Sequence, residues 1–171
     1  WLDLGAGTGL LADALEQLNP NQSVIRIDAS KEMLANNTYQ SQTQLWDLNK
    51  GLPSLHNKPT LISSSFAIHW LNAPQKCLGH WLNSLPSGGY LAIALPIKGS
   101  FPEWHEAAQR ANVICSANDL PSQDSLIEVL ENGKIKFVGI ENFVQEDYSV
   151  FSLLKSIVNI GAQSKKKKNN Q

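Results

Sequence analysis

Trp1-Leu2-Asp3-Leu4 is a short apolar run that opens straight into Gly5-Ala6-Gly7-Thr8-Gly9. Three glycines two apart let the backbone reverse sharply and come close to a ligand with no Cβ in the way. Apolar positions at 10, 11, 14, 15 and 18 then mark an amphipathic helix, so the loop delivers its ligand to a helix N-terminus. Asp28 closes the next apolar run, Val24-Ile25-Arg26-Ile27, nineteen residues after Gly9. A carboxylate at that spacing suits the two hydroxyls of a ribose. Strand, glycine turn, helix, strand and acid together point to a nucleoside site on an α/β sheet.

Alternation continues along the chain and predicts a doubly wound, mostly parallel sheet with helices on both faces. Strands are expected at 1–4, 24–28, 43–46, 60–65 and 90–95, with a sixth at 135–144. Helices are expected at 9–18, 31–38, 73–84, 102–112, 123–131 and 149–158. Residues 97–119 fall at the carboxyl edge of the fifth strand, where open α/β sheets bind ligands, and read as a substrate cap.

The loop spacing narrows the ligand. Dinucleotide folds use G-x-G-x-x-G, whereas this chain has G-x-G-x-G, and Asp3 two residues earlier would repel a pyrophosphate and attract an ammonium or sulfonium. The pattern resembles motif I of the class I S-adenosylmethionine (SAM) methyltransferases. Four further segments resemble that family in order: Asp28-Ala29-Ser30-Lys31-Glu32-Met33-Leu34, Leu45-Trp46-Asp47-Leu48, Leu61 to Trp70, and the Pro86-Ser87-Gly88-Gly89 turn. The resemblance implies a Rossmann-like class I methyltransferase fold with SAM as cofactor. It implies cofactor contacts from Asp3, Gly5, Ala6, Gly7, Asp28, Ala29, Met33, Asp47, Leu48, Ser64 and Ser65. Ser30 also reads locally as an N-cap with Met33 at N3.

Later segments resemble one branch, the malonyl-acyl-carrier-protein O-methyltransferases of biotin synthesis. Ser64-Ser65-Phe66-Ala67-Ile68-His69-Trp70 is similar to that branch's Ser-Asn-x-Ala-x-Gln-Trp, with Ser65 in place of Asn and His69 in place of Gln. Phe101-Pro102-Glu103-Trp104 and Leu154-Lys155-Ser156-Ile157-Val158-Asn159-Ile160-Gly161-Ala162 carry the rest of the likeness. The implied reaction is methyl transfer to a carboxylate, on malonyl-acyl carrier protein or a small carboxylic acid. Such an acceptor is ionised near neutral pH and needs no strong base. His69 would donate a hydrogen bond to it, helped if protonated, and Arg110 on the cap would bind it bidentately. A trans-aconitate-like methyltransferase and an inactive SAM-binding fragment are the alternatives. The resemblance also implies helical sequence before motif I and a final antiparallel strand, so the chain reads as truncated at both ends, with a methyltransferase domain over 1–162 and a disordered basic tail over 163–171.

Charge and composition exclude other classes. The formal net charge of −1 hides an asymmetry: Lys165 to Lys168 are four of fourteen basic residues, and the remaining ten face fifteen acidic ones, a net −5. An acidic body lacks the charge to neutralise a nucleic-acid backbone, while a lysine tail could attract an acidic carrier protein. No apolar run approaches the roughly 20 residues of a membrane span. Cys77 and Cys115 lack metal-type spacing, so no metal is expected and a cytoplasmic location fits.

Overall fold

The computed structural model describes residues 1–39, 42–115, 117 and 119–159. Two compact units divide the chain, Trp1–Ile135 and Lys136–Gln171. The first holds a five-stranded sheet: β1 Leu2–Leu4, β2 Ile25–Asp28, β3 Thr43–Leu45, β4 Leu61–Ser65 and β5 Tyr90–Ala94. Its order is β3-β2-β1-β4-β5, and every pairing is parallel. The register sets Leu4 beside Ile27, Asp3 beside Ser63, and Ser65 beside Ala94.

Parallel neighbours need crossovers, and the helices supply them. α1 (Leu10–Leu18) joins β1 to β2, α2 (Lys31–Leu34) precedes β3, and α3 (Pro74–Ser84) joins β4 to β5. The path runs outward from β1 through β2 to β3, then returns to β4 on the other side of β1. Right-handed crossovers therefore place α1 and α2 on one face and α3 on the other. α4 (Pro102–Arg110) and α5 (Gln123–Leu130) follow β5, and α5 packs on α3.

Leu2, Leu4, Ile27 and Ile62 from the strands meet Leu48, Ile68, Leu78, Trp81 and Leu126 in one buried cluster. Both faces of β1 are buried, as expected of a central parallel strand. The Pro86 turn closes as its sequence predicts: Gly88 takes φ 80°, Gly89 N–H donates to the Pro86 carbonyl at 2.9 Å, and Tyr90 N–H reaches Thr60 to begin β5.

Two elements differ from the sequence reading. α2 stops at Leu34 rather than running to 38, because the Asn37 amide donates to the carbonyls of Met33 and Leu34 and competes with helix continuation. Residues 135–144 form no strand, although their composition suits one. A strand exists only by its ladder, and β5 is the last strand of the sheet on that side. In the second unit, α6 spans Val150–Asn159. The lysine tail and the Ile160-Gly161-Ala162 end of the sequence match lie outside the described residues.

Candidate active site

Parallel strands bring the segments after β1, β2, β3, β4 and β5 to one edge of the sheet. The winding order reverses between β1 and β4, and the carboxyl ends of strands at such a point are where open α/β sheets bind ligands. The glycine loop follows β1 on one side of that point, and the turn from Phe66 to Trp70 follows β4 on the other.

The loop is shaped by its own backbone. Gly5 and Ala6 both donate to the Ile27 carbonyl, at 2.8 and 3.0 Å, which pins the first turn to the end of β2. Gly5, Gly7 and Gly9 have φ of 72°, 55° and 89°, all in the left-handed region. Their surroundings differ. A Cβ on Gly5 would overlap Ala67 Cβ, and one on Gly9 would overlap the Asn37 side chain, whereas one on Gly7 would meet open space. The room for a ligand is therefore at Gly7. Gly9 caps α1 without a side-chain hydrogen bond, and in the first turn the Ala12 amide is taken by Asp3.

Asp28 completes this wall. Its Oδ2 accepts from Gly7 N–H at 2.9 Å and its Oδ1 from Ser30 N–H at 2.7 Å, which holds the carboxylate at the end of β2. Ser30 caps α2 by accepting from Met33 N–H at 3.2 Å, as its sequence position predicts. Half-buried Met33 and exposed Ala29 lie beside Asp28. Asp47 caps the 3-10 turn Leu48–Lys50 through Asn49, whose amide and side chain donate at 3.0 and 2.9 Å and hold the carboxyl below its ordinary pKa. Leu48 beside it sends its side chain into the core.

Asp3 sits deeper than its motif suggests. It is 1% exposed under the loop, with Oδ1 3.5 Å from Ser63 Oγ, and its Oδ2 has no hydrogen bond of good geometry. Burial pushes its carboxyl up to about 6, against the pull of the Ala12 amide, the Ser63 hydroxyl and Arg26. Asp3 is a buried carboxyl, and a cation bound at the loop would draw its proton off. Ser64 Oγ donates to the Leu4 carbonyl at 2.7 Å and joins β4 to β1, while half-buried Ser65 ends the strand.

Beyond β4, buried Ile68 anchors a 3-10 turn that carries His69 and Trp70, ring centroids 5.0 Å apart. Burial lowers the His69 pKa, and Nδ1 is buried without a partner. Burial therefore favours the neutral imidazole and works against the protonation that would help it donate to a carboxylate. Arg110, at the end of α4, is 82% exposed and pairs with Glu106 at 3.4 Å. No residue of α4 is buried.

Two residues at the site were missed in the sequence. Arg26, fully buried on β2, bonds Asp13 and Glu16 of α1 together with Gln42, and fastens α1 to the sheet behind the loop. Asn37 donates to the Gly7 carbonyl at 2.9 Å. An arginine inside an apolar strand facing two acids one turn apart is a readable signal for the first. Asn36-Asn37 after an apolar helix signals only a helix end.

Residues 2–93 match the methyltransferase domain family. The chain belongs to that family. It is a class I SAM-dependent methyltransferase, with SAM as its cofactor. The biotin biosynthesis bifunctional protein BioCD of Bordetella avium is 32% identical over 168 residues, 94% of this chain and 35% of that protein. The malonyl-[acyl-carrier protein] O-methyltransferase of Alcanivorax borkumensis is 34% identical over 71% of this chain and 43% of its own length. A trans-aconitate 2-methyltransferase of Deinococcus radiodurans is 28% identical over 71% of this chain and 45% of its own. This methyltransferase chain thus spans less than half the length of each of these relatives. The YcgJ protein of Bacillus subtilis shares the fold, with a TM-score of 0.58 at 22% identity over 77% of this chain and 59% of that one. No helix among the described residues is long and apolar enough to cross a membrane.

Proposed function

We propose that this methyltransferase transfers a methyl group from SAM to a carboxylate, and that the acceptor is the free carboxylate of malonyl-acyl carrier protein. The observation that carries the reading is the similarity, over 71% of the chain, to relatives named for malonyl and aconitate acceptors, beside a match over 94% of it to a relative named for biotin biosynthesis. An ionised carboxylate needs no proton removed before it attacks, so the reading asks for no general base.

In this reading Asp28 accepts from the ribose hydroxyls, Asp47 from the adenine amino group, and Met33 packs beside the adenine. The open space at Gly7 and the buried carboxyl of Asp3 fit a cationic nucleoside. SAM supplies an electrophilic methyl group on a sulfonium. The protein's part is alignment and exclusion of water. His69 and Trp70 line the acceptor side, neutral His69 donates one hydrogen bond to the carboxylate, and the cap around Arg110 closes over it. The acidic body of the chain accords with a small-molecule or carrier-borne acceptor and not with nucleic acid.

A panel of labelled-methyl transfer to malonyl-acyl carrier protein, malonyl coenzyme A and free trans-aconitate tests this. Transfer to the carrier-borne acid is the expected result. Preference for free trans-aconitate would establish the second reading, which the Deinococcus relative favours. SAM binding with no transfer to any acid would leave a binding module.

A further inference from the structure

A Cβ on Gly7 would meet open space, yet both of its backbone polar groups are held. Its N–H donates to Asp28 Oδ2 at 2.9 Å and its carbonyl accepts from Asn37 Nδ2 at 2.9 Å. Asn37 is buried, and the same Nδ2 donates to the carbonyls of Met33 and Leu34, each at 3.2 Å. One side-chain amide therefore ties the end of α2 to the apex of the glycine loop across thirty residues of sequence. Its place is tightly bounded, since a Cβ on Gly9 would overlap it. The residues after it are fastened too: Thr38 Oγ1 donates to Asp13 Oδ2 at 3.1 Å, and the Tyr39 ring lies 5.4 Å from the Arg26 guanidinium carbon.

We propose that Asn37 is a positioning residue for the cofactor, acting through Gly7 without touching the ligand. The proposal rests on the cofactor site described above. A glycine peptide turns over at little cost, because no Cβ resists it. In a planar trans peptide the carbonyl and the following N–H point opposite ways. Holding the Gly7 carbonyl on Asn37 therefore keeps the Thr8 N–H turned away from α2 and stops the carbonyl from rotating into the space that a Cβ on Gly7 would enter. Asp28 sets one end of Gly7 and Asn37 the other, so the loop is already in its receiving shape before SAM arrives.

Calorimetry with S-adenosylhomocysteine on the full chain tests this, using Asn37→Ala, the isosteric Asn37→Asp, and Leu126→Ala in α5 as a control for simple destabilisation. Asn37→Asp removes the donors while keeping the shape, and it carries the test if Asn37→Ala does not fold. Both Asn37 variants should bind about tenfold or more weakly, as expected for a lost buried hydrogen bond. Leu126→Ala should bind like the wild type at a temperature where all are folded. The Thr8 amide resonance should move in Asn37→Asp while those of β5 stay in place. Wild-type binding with Asn37 variants within twofold of it, or a loss equal to that of Leu126→Ala, would overturn the proposal alone. A wild-type chain that binds no S-adenosylhomocysteine would overturn the site reading with it.

Discussion

Around β1 and β2 the polar groups turn inward and are held: Gly7 lies between Asp28 and Asn37, Arg26 spans α1 and β2, and Ser64 bonds back to β1. Past β4 and β5 the picture reverses. The rings of Phe66, Trp70, Phe101 and Trp104 stand 41% to 56% exposed, and Phe66 and Phe101 take positive φ with no glycine to ease it. The wall proposed for the cofactor is held by backbone and buried hydrogen bonds. The acceptor side consists of side chains on exposed turns, which change without unfolding the sheet. That division lets one scaffold keep its cofactor while its acceptor varies.

Gly5→Val probes the cofactor side hardest. It meets both the left-handed φ of 72° and the methyl of Ala67, and it should abolish SAM binding and lower the melting temperature by several degrees. Trp104→Ala, on the exposed side, should do neither; comparable damage from the two would erase the contrast.

Asp3→Asn tests a buried charge. The folded carboxyl titrates near 6 against 3.8 for the free group, so the folded state binds the proton more tightly and the wild type loses stability as pH rises through that window. About two pKa units correspond to roughly 3 kcal/mol. Denaturant melts should show Asn gaining on Asp between pH 4 and 7, with the difference flat above. SAM affinity should rise with pH over the same range in the wild type only. A pH-independent difference would mean that Asp3 is ionised throughout.

Asp28→Ala should weaken SAM binding by about 1.5–3 kcal/mol, the range for a charge-assisted hydrogen bond. An unchanged dissociation constant by calorimetry would move the ribose site elsewhere. The smallest effect on cofactor binding belongs to Arg110→Ala, whose exposed pair with Glu106 contributes little to stability. Michaelis constants should rise for a malonyl acceptor and hold for SAM. Equal changes in both would give Arg110 a structural role.

What could be read from the chain follows the same division. The loop, Asp28, the Ser30 cap and the Gly88-Gly89 turn were legible because each is decided within a few residues by glycine freedom, strand ends and capping. Asp3 was placed by motif, but its burial depends on Ser63 and on Ala12 of α1, which only the folded sheet assembles. The neutral state of His69 was illegible for the same reason, being set by burial. Residues 135–144 have a strand's composition without a ladder, and pairing is a property of two segments. Asn37 announces the end of α2 but gives no hint of Gly7.

The contact between Gly5 and Ala67 bears on how such sequences drift. Between them there is space for one methyl group, and it belongs to position 67. With that methyl removed, a Cβ at position 5 would lie 3.6 Å from the Ala67 Cα, an ordinary contact. Two positions 62 residues apart are thus coupled in one direction: a library varied at both should retain Gly5 with alanine or glycine at 67 and lose alanine at both, because the φ of 72° strains any side chain at position 5 even where glycine at 67 leaves room.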